Sequence, residues 1–258
     1  ITYDKPITSA DLSSGGNLAV AVGSSQYQGQ VIVYNKRFEE IFRWLSSDTV
    51  LDVALSDKGN TMAVASVTTV NGQIASTVRL FKFNSEQPVA EIPLTGELVV
   101  ALRTGDGGLF YAVTDQGITA ITSGGKVEAS YSFGGDPLAA FDCSGGKGIA
   151  VMLGDFKENR RLTAYVLDEK LKVKGSAVLN VRPELLRHDS KGVYFLADNK
   201  VYCYTNTMDL VDTVDTPDAR CAYIQGNRLY YTTSKKMDRV SVSRPEKLPK
   251  ESSPSSAG

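Results

Sequence analysis

Residues 51–60 read Leu51-Asp52-Val53-Ala54-Leu55-Ser56-Asp57-Lys58-Gly59-Asn60, an apolar strand that ends in a polar turn with glycine. A second apolar stretch follows at residues 62–65, so the segment predicts an antiparallel hairpin. Residues 9–22 have the same order, and it returns at 102–113, 141–152, 186–196 and 222–232. A unit of roughly 42 residues that recurs about six times is typical of a β-propeller. The sequence therefore predicts an all-β fold, a β-propeller of about six visible four-stranded antiparallel blades.

Each unit continues into a second hairpin, which alternates apolar and polar residues and is rich in β-branched and aromatic side chains. Clear examples are residues 31–34 with 40–44, 118–121 with 127–133, and 162–167 with 173–179. Such alternation favours strands over helices, and four strands make one propeller blade. We place the blades at residues 7–47, 48–94, 95–136, 137–182, 183–216 and 217–244. The prediction is thus one propeller domain, residues 1–245.

The last predicted blade has room for only three strands. Residues 1–4, Ile1-Thr2-Tyr3-Asp4, precede the innermost strand of the first blade, where the outer strand of a preceding blade would lie. We expect these residues to complete the last blade, because closing the ring removes exposed sheet edges. The alternative is that further blades precede Ile1, in a seven- or eight-bladed ring. Residues 246–258 are rich in Pro and Ser and are predicted to form a disordered tail.

Composition excludes some partners. The 258 residues carry 28 Lys and Arg against 29 Asp and Glu, a formal net charge of -1. We expect no nucleic-acid partner, because that affinity depends largely on clustered basic side chains. Cys143, Cys203 and Cys221 lack metal-ligand spacing and are predicted to be unreactive, buried thiols. No apolar run reaches the length of a membrane helix, so membrane association would need an anchor outside this chain.

Residues suited to catalysis are scarce. His188 is the only histidine, which argues against catalytic triads and zinc sites, and we interpret it as structural. Carboxylates are the remaining route, since propellers can host hydrolases that use paired carboxylates. Asp52 and Asp142 lie on predicted inner strands, where each could face the channel or accept a hydrogen bond from a neighbouring backbone. The sequence predicts no catalytic residue, no metal ligand and no cofactor.

Loop length gives the only indication of a binding surface. Loops between the second and third strands of each blade share one face with the connections between blades, and loops on a rigid scaffold commonly carry recognition residues. Loops 23–30, 67–76 and 154–161 are long, whereas their equivalents near Gln116, Asn199 and Lys235 are short. Tolerated variation in surface loop length is the simpler interpretation. The alternative is an uneven binding rim with the candidate residues Tyr27, Gln28, Asn71, Gln73, Phe156, Lys157, Arg160 and Arg161.

Parts of the chain resemble known propellers. The strand and turn at residues 55–64 are similar to those of YVTN-type and WD-repeat proteins, although no Trp-Asp or Gly-His pair occurs. Residues 7–13, 40–48 and 53–78 more closely resemble an uncharacterised propeller family of Gram-positive, clostridium-type bacteria. The resemblance implies an extracytoplasmic protein with an N-terminal membrane anchor and further repeat-like sequence before Ile1. That family has no established activity, so the resemblance assigns no functional residue.

Three functions are compatible with these features. The leading hypothesis is a non-catalytic extracytoplasmic propeller that binds a protein, peptide or cell-envelope polymer through the long loops. The second is a hydrolase or carbohydrate-active enzyme that uses carboxylates at the channel mouth, such as Asp52 and Asp142. The third is a structural module of a membrane assembly. Converging carboxylates in a cleft would favour the second, and an extended apolar patch on the side of the ring would favour the third.

Overall fold

The computed structural model describes residues 1–143, 148–155 and 162–243, with Asp106 described by its backbone alone. The strands form six separate antiparallel sheets, of which five have four strands and the sixth has three. Within each sheet the strands are hydrogen-bonded in chain order. This arrangement is a β-propeller and confirms the predicted fold class.

The strand bounds agree with the predicted blades to within a few residues. Blades one to three contain β1 (Ile7–Leu12), β2 (Leu18–Val22), β3 (Gly29–Tyr34), β4 (Glu40–Ser46), β5 (Thr49–Leu55), β6 (Thr61–Val70), β7 (Gln73–Lys82), β8 (Ala90–Thr95), β9 (Val99–Thr104), β10 (Leu109–Thr114), β11 (Gly117–Thr122) and β12 (Val127–Ser132). Blades four to six contain β13 (Leu138–Asp142), β14 (Ile149–Leu153), β15 (Leu162–Leu167), β16 (Val173–Leu179), β17 (Leu185–Asp189), β18 (Gly192–Ala197), β19 (Lys200–Tyr204), β20 (Leu210–Asp215), β21 (Cys221–Gln225), β22 (Arg228–Thr232) and β23 (Met237–Ser241). A short 3₁₀ turn occupies Asp106–Gly108. No described segment forms a helix with the length and hydropathy needed to cross a bilayer.

Burial along the strands shows where the core lies. All five residues of β14 are buried, so this middle strand is covered on both of its faces. The outermost strand β12 instead alternates exposed and half-buried residues, as a strand with one solvated face does. The core therefore lies between successive blades, around their middle strands.

Five apolar clusters join neighbouring blades. Between blades two and three, Val78 and Leu80 pack with Leu102 and Phe110. Equivalent clusters lie between blades one and two, three and four, four and five, and five and six. Each blade thus buries its apolar face against the next one, and this fixes the relative positions of their loops.

The two ends of the array differ from these interfaces. On blade six, Ala222 and Leu229 pack toward blade five, whereas Tyr223 on the opposite face is 58% exposed. On blade one, the face that points away from blade two contains the buried side chains Val20 and Ile32. That face is covered by the N-terminal segment.

The N-terminal segment is not where the sequence predicted it. Residues 1–6 contain no strand, and the sixth sheet consists of β21, β22 and β23. Tyr3 packs instead on the apolar face of blade one, and its hydroxyl donates a hydrogen bond to the Tyr34 hydroxyl at 3.0 Å. Covering Val20, Val22 and Ile32 removes apolar surface from water, which favours this position. The predicted tail, residues 246–258, lies outside the described residues.

Candidate functional site

One face of the propeller carries the predicted long loops. The β2–β3 and β6–β7 connections lie there, and so does Gly154 at the end of β14. The connections between blades lie on the same face, as the hydrogen bonds from Gln28 N to Ser46 O and from Gly154 N to Pro137 O show. We call it the loop-bearing face. Among the described residues, the turns that join the first strand of a blade to the second, and the third to the fourth, lie on the opposite face.

The β6–β7 connection is a rigid hairpin rather than the loop that the sequence predicted. Its strands pair without interruption to the last rung, Val70 with Gln73, and the turn consists of Asn71 and Gly72. Both turn residues have positive φ, 51° and 79°, which is the geometry of a type I′ turn and favours Asn-Gly. The β-branched run at residues 67–70 continues the strand, because such residues favour extended backbone. The candidate residues Asn71 and Gln73 are therefore exposed at the tip of a defined hairpin.

The loop of blade one contains the candidate residues Tyr27 and Gln28. The Ser24 hydroxyl accepts hydrogen bonds from the backbone N–H groups of Gln26 and Tyr27, and this fixes a tight turn. Gln28 N donates to Ser46 O at 3.0 Å, so the end of the loop is held against the start of the next blade. Tyr27 is 45% exposed.

A polar cleft lies between this loop and the base of the β6–β7 hairpin. We call it the rim cleft, and its volume is about 310 Å³. It is lined by Gln28, Ser47, Asp48, Thr49, Val67, Thr68 and Thr69. The structure thus brings candidate residue Gln28 beside the hairpin that carries Asn71 and Gln73, as the rim prediction requires.

One lining residue of the rim cleft, Asp48, belongs to an ion-pair network. The Asp48 Oδ2 atom lies 3.1 Å from Arg79 Nη1, and Arg79 Nε lies 3.2 Å from Glu91 Oε2. Arg79 Nη1 also donates to the buried Ser66 hydroxyl at 2.6 Å, and the guanidinium carbon lies 5.5 Å from the centre of the Trp44 ring. Arg79 and Asp48 thereby neutralise and immobilise each other, so the cleft offers a ligand chiefly neutral polar groups.

Tyr27 lines a different cavity, on the other side of the same loop. This cavity of about 530 Å³ lies on the end face of blade one and includes Tyr3, Tyr34 and Arg43. Burial, followed by the hydrogen bond with Tyr34, raises the pKa of Tyr3, so this phenol stays neutral. Arg43 is paired with Glu40, and their hydrogen bond lowers the pKa of the Glu40 carboxyl. Tyr27 and Gln28 are neighbours in the chain but do not share a cleft.

Sequence reasoning missed a larger pocket at the mouth of the channel. It has a volume of about 660 Å³ and is built by the innermost strands of blades three, four and five. We call it the channel-mouth pocket; it is lined by Val100, Asp115, Pro137, Leu138, Ala139, Ala140, Phe141, Glu184, Leu185, Leu186 and Arg187. A smaller cavity of about 290 Å³ adjoins it and shares residues 137–140. The available signal was the apolar character of exposed positions on inner strands, such as Val100 and Ala139.

The inner-strand carboxylates connect blades. Asp52 accepts hydrogen bonds from the Ser9 hydroxyl of blade one, and from Val53 N at 3.0 Å and Leu102 N at 2.8 Å. Asp142 accepts from His188 N of the next blade at 2.6 Å, and Asp11 accepts from Leu55 N at 2.7 Å. The same contact thus recurs at three blade interfaces. Carboxylates engaged in this way are structural acceptors and not a free catalytic pair.

His188 is buried, in agreement with a structural role. The Asn206 amide nitrogen donates to Ser190 O, so its oxygen, 3.0 Å from His188 Nε2, accepts the imidazole N–H. Nδ1 then carries the lone pair and has no hydrogen-bond partner among the described residues. Burial lowers the pKa of His188, against the opposing effects of Asn206 and Asp142. The imidazole is therefore neutral in the folded protein near neutral pH.

We predict that His188 makes the protein less stable in acid. Its pKa in the unfolded chain, about 6.5, is higher than in the folded one, so the unfolded state takes up the proton first as the pH falls. The contribution of neutral His188 to the free energy of unfolding is complete above the unfolded-state pKa. Below it, this contribution is lost by up to about 1.4 kcal/mol per pH unit. Denaturant unfolding at pH 7 and pH 5 measures this slope. In His188→Gln the slope should be smaller, and an unchanged slope would contradict the assignment.

Thiols and metals offer no further site in the described part of the chain. Burial raises the pKa of the Cys143 thiol to about 12, so this cysteine is unreactive, whereas Cys221 is exposed, contrary to the prediction. No group of three or more His, Cys, Asp or Glu residues in the described ranges could hold a metal ion. The candidate residues Phe156, Lys157, Arg160 and Arg161 lie outside the described residues.

Comparisons with solved structures agree with the propeller fold. Hsv2 of Kluyveromyces lactis superimposes with a TM-score of 0.59 at 14% identity, over 92% of this chain and 75% of that one. Hydrazine synthase of Kuenenia stuttgartiensis superimposes with a TM-score of 0.54 at 15% identity, over 93% of this chain and 68% of that one. The Dos1 propeller superimposes with a TM-score of 0.58 at 12% identity, over 88% of this chain and 65% of that one. At such identities the likeness concerns the fold alone.

Comparison at the level of sequence identifies a family. No curated protein matches the chain. The bacterial group and the membrane anchor implied by the resemblance stay predictions. One family model covers residues 1–242 and is described as a family of unknown function. The chain belongs to this family, DUF5711.

Proposed function

We propose that this protein is a non-catalytic, extracytoplasmic binding module that engages a protein, peptide or cell-envelope polymer through its loop-bearing face. The observation that carries the proposal is the rim cleft, where Gln28 and the base of the β6–β7 hairpin form two walls beside Asp48, whose charge is neutralised by Arg79. The location outside the cytoplasm rests on the family resemblance.

The rim cleft offers polar groups that the fold does not use. Among the described residues, the side chains of Gln28, Ser47, Thr49, Thr68 and Thr69 have no intramolecular hydrogen-bond partner. Hydroxyl and amide groups both donate and accept, so they suit the amides of a peptide or the hydroxyls of a glycan. Because strand pairing and the Ser24 turn hold both walls, little conformational freedom is lost on binding.

The hydrogen bonds of Asp52 and Asp142, the carboxylates that the hydrolase hypothesis needs, argue against that function. Asp52 and Asp142 each accept backbone N–H groups of a neighbouring blade, so neither is free to transfer a proton to a substrate. The described inner strands therefore support binding rather than hydrolysis.

Shortening the hairpin tests the proposal. Deletion of Thr69, Val70, Gln73 and Ile74 removes two complete rungs and leaves Thr68 paired with Ala75 next to the Asn-Gly turn. Loss of two residues per strand keeps every remaining side chain on its original face. Combined with Gln28→Ala, it removes Thr69 and the Gln28 amide from the cleft lining, together with the candidate residue Gln73. We expect binding to isolated cell envelopes, measured by co-sedimentation, to fall about tenfold or more, as loss of central contacts does.

The matched control is placed on the opposite face. Ser85→Ala with Glu86→Ala alters an exposed turn between β7 and β8 and should leave binding unchanged. Both variants should unfold at the denaturant concentration of the parent protein. A folded hairpin variant that binds envelope polymers and envelope proteins as well as the parent would refute the rim as the binding site.

A further inference from the structure

The channel-mouth pocket combines three strands from three blades into one concave surface. Val100 of β9, Ala139 of β13 and Leu185 of β17 contribute to its lining. The guanidinium carbon of Arg103 lies 5.4 Å from the centre of the Phe141 ring, and Arg103 Nη1 is itself 3.2 Å from Asp52 Oδ2. Phe141 is thus held by a neighbouring blade. The shape of the pocket is set by the packing of the blades and does not depend on loop order.

The walls of this pocket expose apolar surface to water. Val100 is 47% exposed, and Leu138, Phe141 and Leu185 are only half-buried. An apolar group that fills the pocket would displace this water and gain the free energy of burying both surfaces. Glycan hydroxyls would gain little against Val100, Leu138, Phe141 and Leu185, because these side chains supply no hydrogen bonds in exchange for hydration. The walls therefore favour an apolar side chain.

The rim of the pocket is acidic. Asp115 and Glu184 line the pocket with one basic residue, Arg187, whose Nη1 donates to Leu186 O at 2.9 Å. The charge of Arg103, which lies against Phe141, is offset by its ion pair with Asp52. The Oδ1 atom of Asp115 accepts from Leu98 N at 2.9 Å, so this carboxylate is fixed in position. Glu97 adds a further negative charge nearby, because its Oε2 accepts a hydrogen bond from Thr114 at 2.7 Å. Among the described residues the charge at this rim complements a cation and repels phosphates.

We infer that the channel-mouth pocket binds a polypeptide segment that inserts one apolar side chain next to a lysine or arginine. The apolar residue fills the space between β9, β13 and β17, and the basic residue lies against Asp115 and Glu184. This inference rests on the proposed function only in that a macromolecular ligand occupies the loop-bearing face. It narrows the partner to a polypeptide and assigns an anchor point that the rim cleft does not provide.

The test uses short fluorescent peptides of matched length. One set has a single phenylalanine or leucine between lysines, a second replaces the lysines by glutamates, and a third replaces the apolar residue by serine. Fluorescence anisotropy gives each affinity. We expect the lysine set to bind roughly tenfold or more tightly than the serine set, as burial of one apolar side chain implies. The affinity of the lysine set should also exceed that of the glutamate set about fivefold, as expected for the two carboxylates at the rim of the pocket.

Protein variants locate the site. Ala139→Trp fills the pocket from an exposed position and should abolish the preference for the apolar residue. Asp115→Asn with Glu184→Gln should remove the preference for lysine over glutamate. The first of these two substitutions is not expected to disturb Leu98, because the oxygen of the introduced amide still accepts the backbone N–H. Glu86→Trp and Glu86→Gln, on the opposite face, are the matched controls.

The outcomes separate the two proposals. Failure of every peptide to bind, or equal binding by parent and Ala139→Trp, would overturn the pocket assignment even if the rim variants still lose envelope binding. Equal binding of lysine and glutamate peptides would also overturn it. Peptide binding that is lost in Ala139→Trp but unaffected by the shortened hairpin would support the pocket, and the co-sedimentation experiment alone would then decide on the rim.

Discussion

Replacement of Asp52 by alanine should destabilise the protein by about 3–5 kcal/mol, the loss expected when one partner of a buried charged network is removed. The carboxylate is 16% exposed and serves donors of three successive blades. In the variant, Leu102 N would remain in a site where its residue is 1% exposed, without an acceptor, and Arg103 would lose its ion pair. Because small domains have only about 5–15 kcal/mol of stability, this is a large fraction.

Denaturant unfolding of two alanine variants measures the effect. Asp57→Ala is the matched control, because Asp57 is an exposed residue in the turn of the same hairpin. Asp52→Asn should lie between the parent and Asp52→Ala, since the amide oxygen can still accept one N–H. A loss in Asp52→Ala no larger than in Asp57→Ala would show that the carboxylate does not connect the blades.

Gly192→Ala should lower the free energy of unfolding by about 3–5 kcal/mol, the sum of backbone strain and overpacking. Gly192 begins β18 with φ 150°, which side chains with a Cβ rarely adopt. A Cβ there would lie 2.0 Å from Tyr204 O, a backbone atom of the paired strand that cannot move without breaking the ladder. The expected result is a protein that unfolds at a much lower denaturant concentration.

Gly124→Ala is the matched control for this prediction. Its nearest neighbour would be the Thr122 hydroxyl at 3.8 Å, an ordinary contact in an exposed turn. This variant should be as stable as the parent, because no overlap arises and alanine restricts the unfolded chain. If both variants unfold alike, the close approach of β18 to β19 is not as the structure describes it.

The fold could be predicted from the sequence because its signals are local. Strand, glycine turn and strand recur at a regular period, and residues 123–126 form the turn between β11 and β12 as that pattern indicates. The predicted loop at residues 67–76 was wrong although a local signal existed: the Asn71-Gly72 pair after a β-branched run is itself a hairpin signal. The position of Tyr3 could not be predicted, because it depends on which apolar face remains uncovered.

The site was only partly predictable. Gln28 and the hairpin line one cleft because the fold places those loops on one face, whereas binding by the candidate rim residues stays a prediction. The channel-mouth pocket combines residues 100, 139 and 185, which are distant in sequence, and no local motif indicates that they meet. The roles of Asp52 and Asp142 were left open because one strand cannot reveal which N–H of the next blade lies opposite its carboxylate.

The most direct test of the central claim, that the loop-bearing face binds a macromolecule, is amide hydrogen exchange with and without bound cell-envelope material. Exchange reports which backbone segments a ligand protects. We predict slower exchange at residues 24–28, 68–75 and 96–98, all of which lie on the loop-bearing face. Protection confined to the turns of the opposite face, residues 56–60, 83–89 and 123–126, would contradict the account.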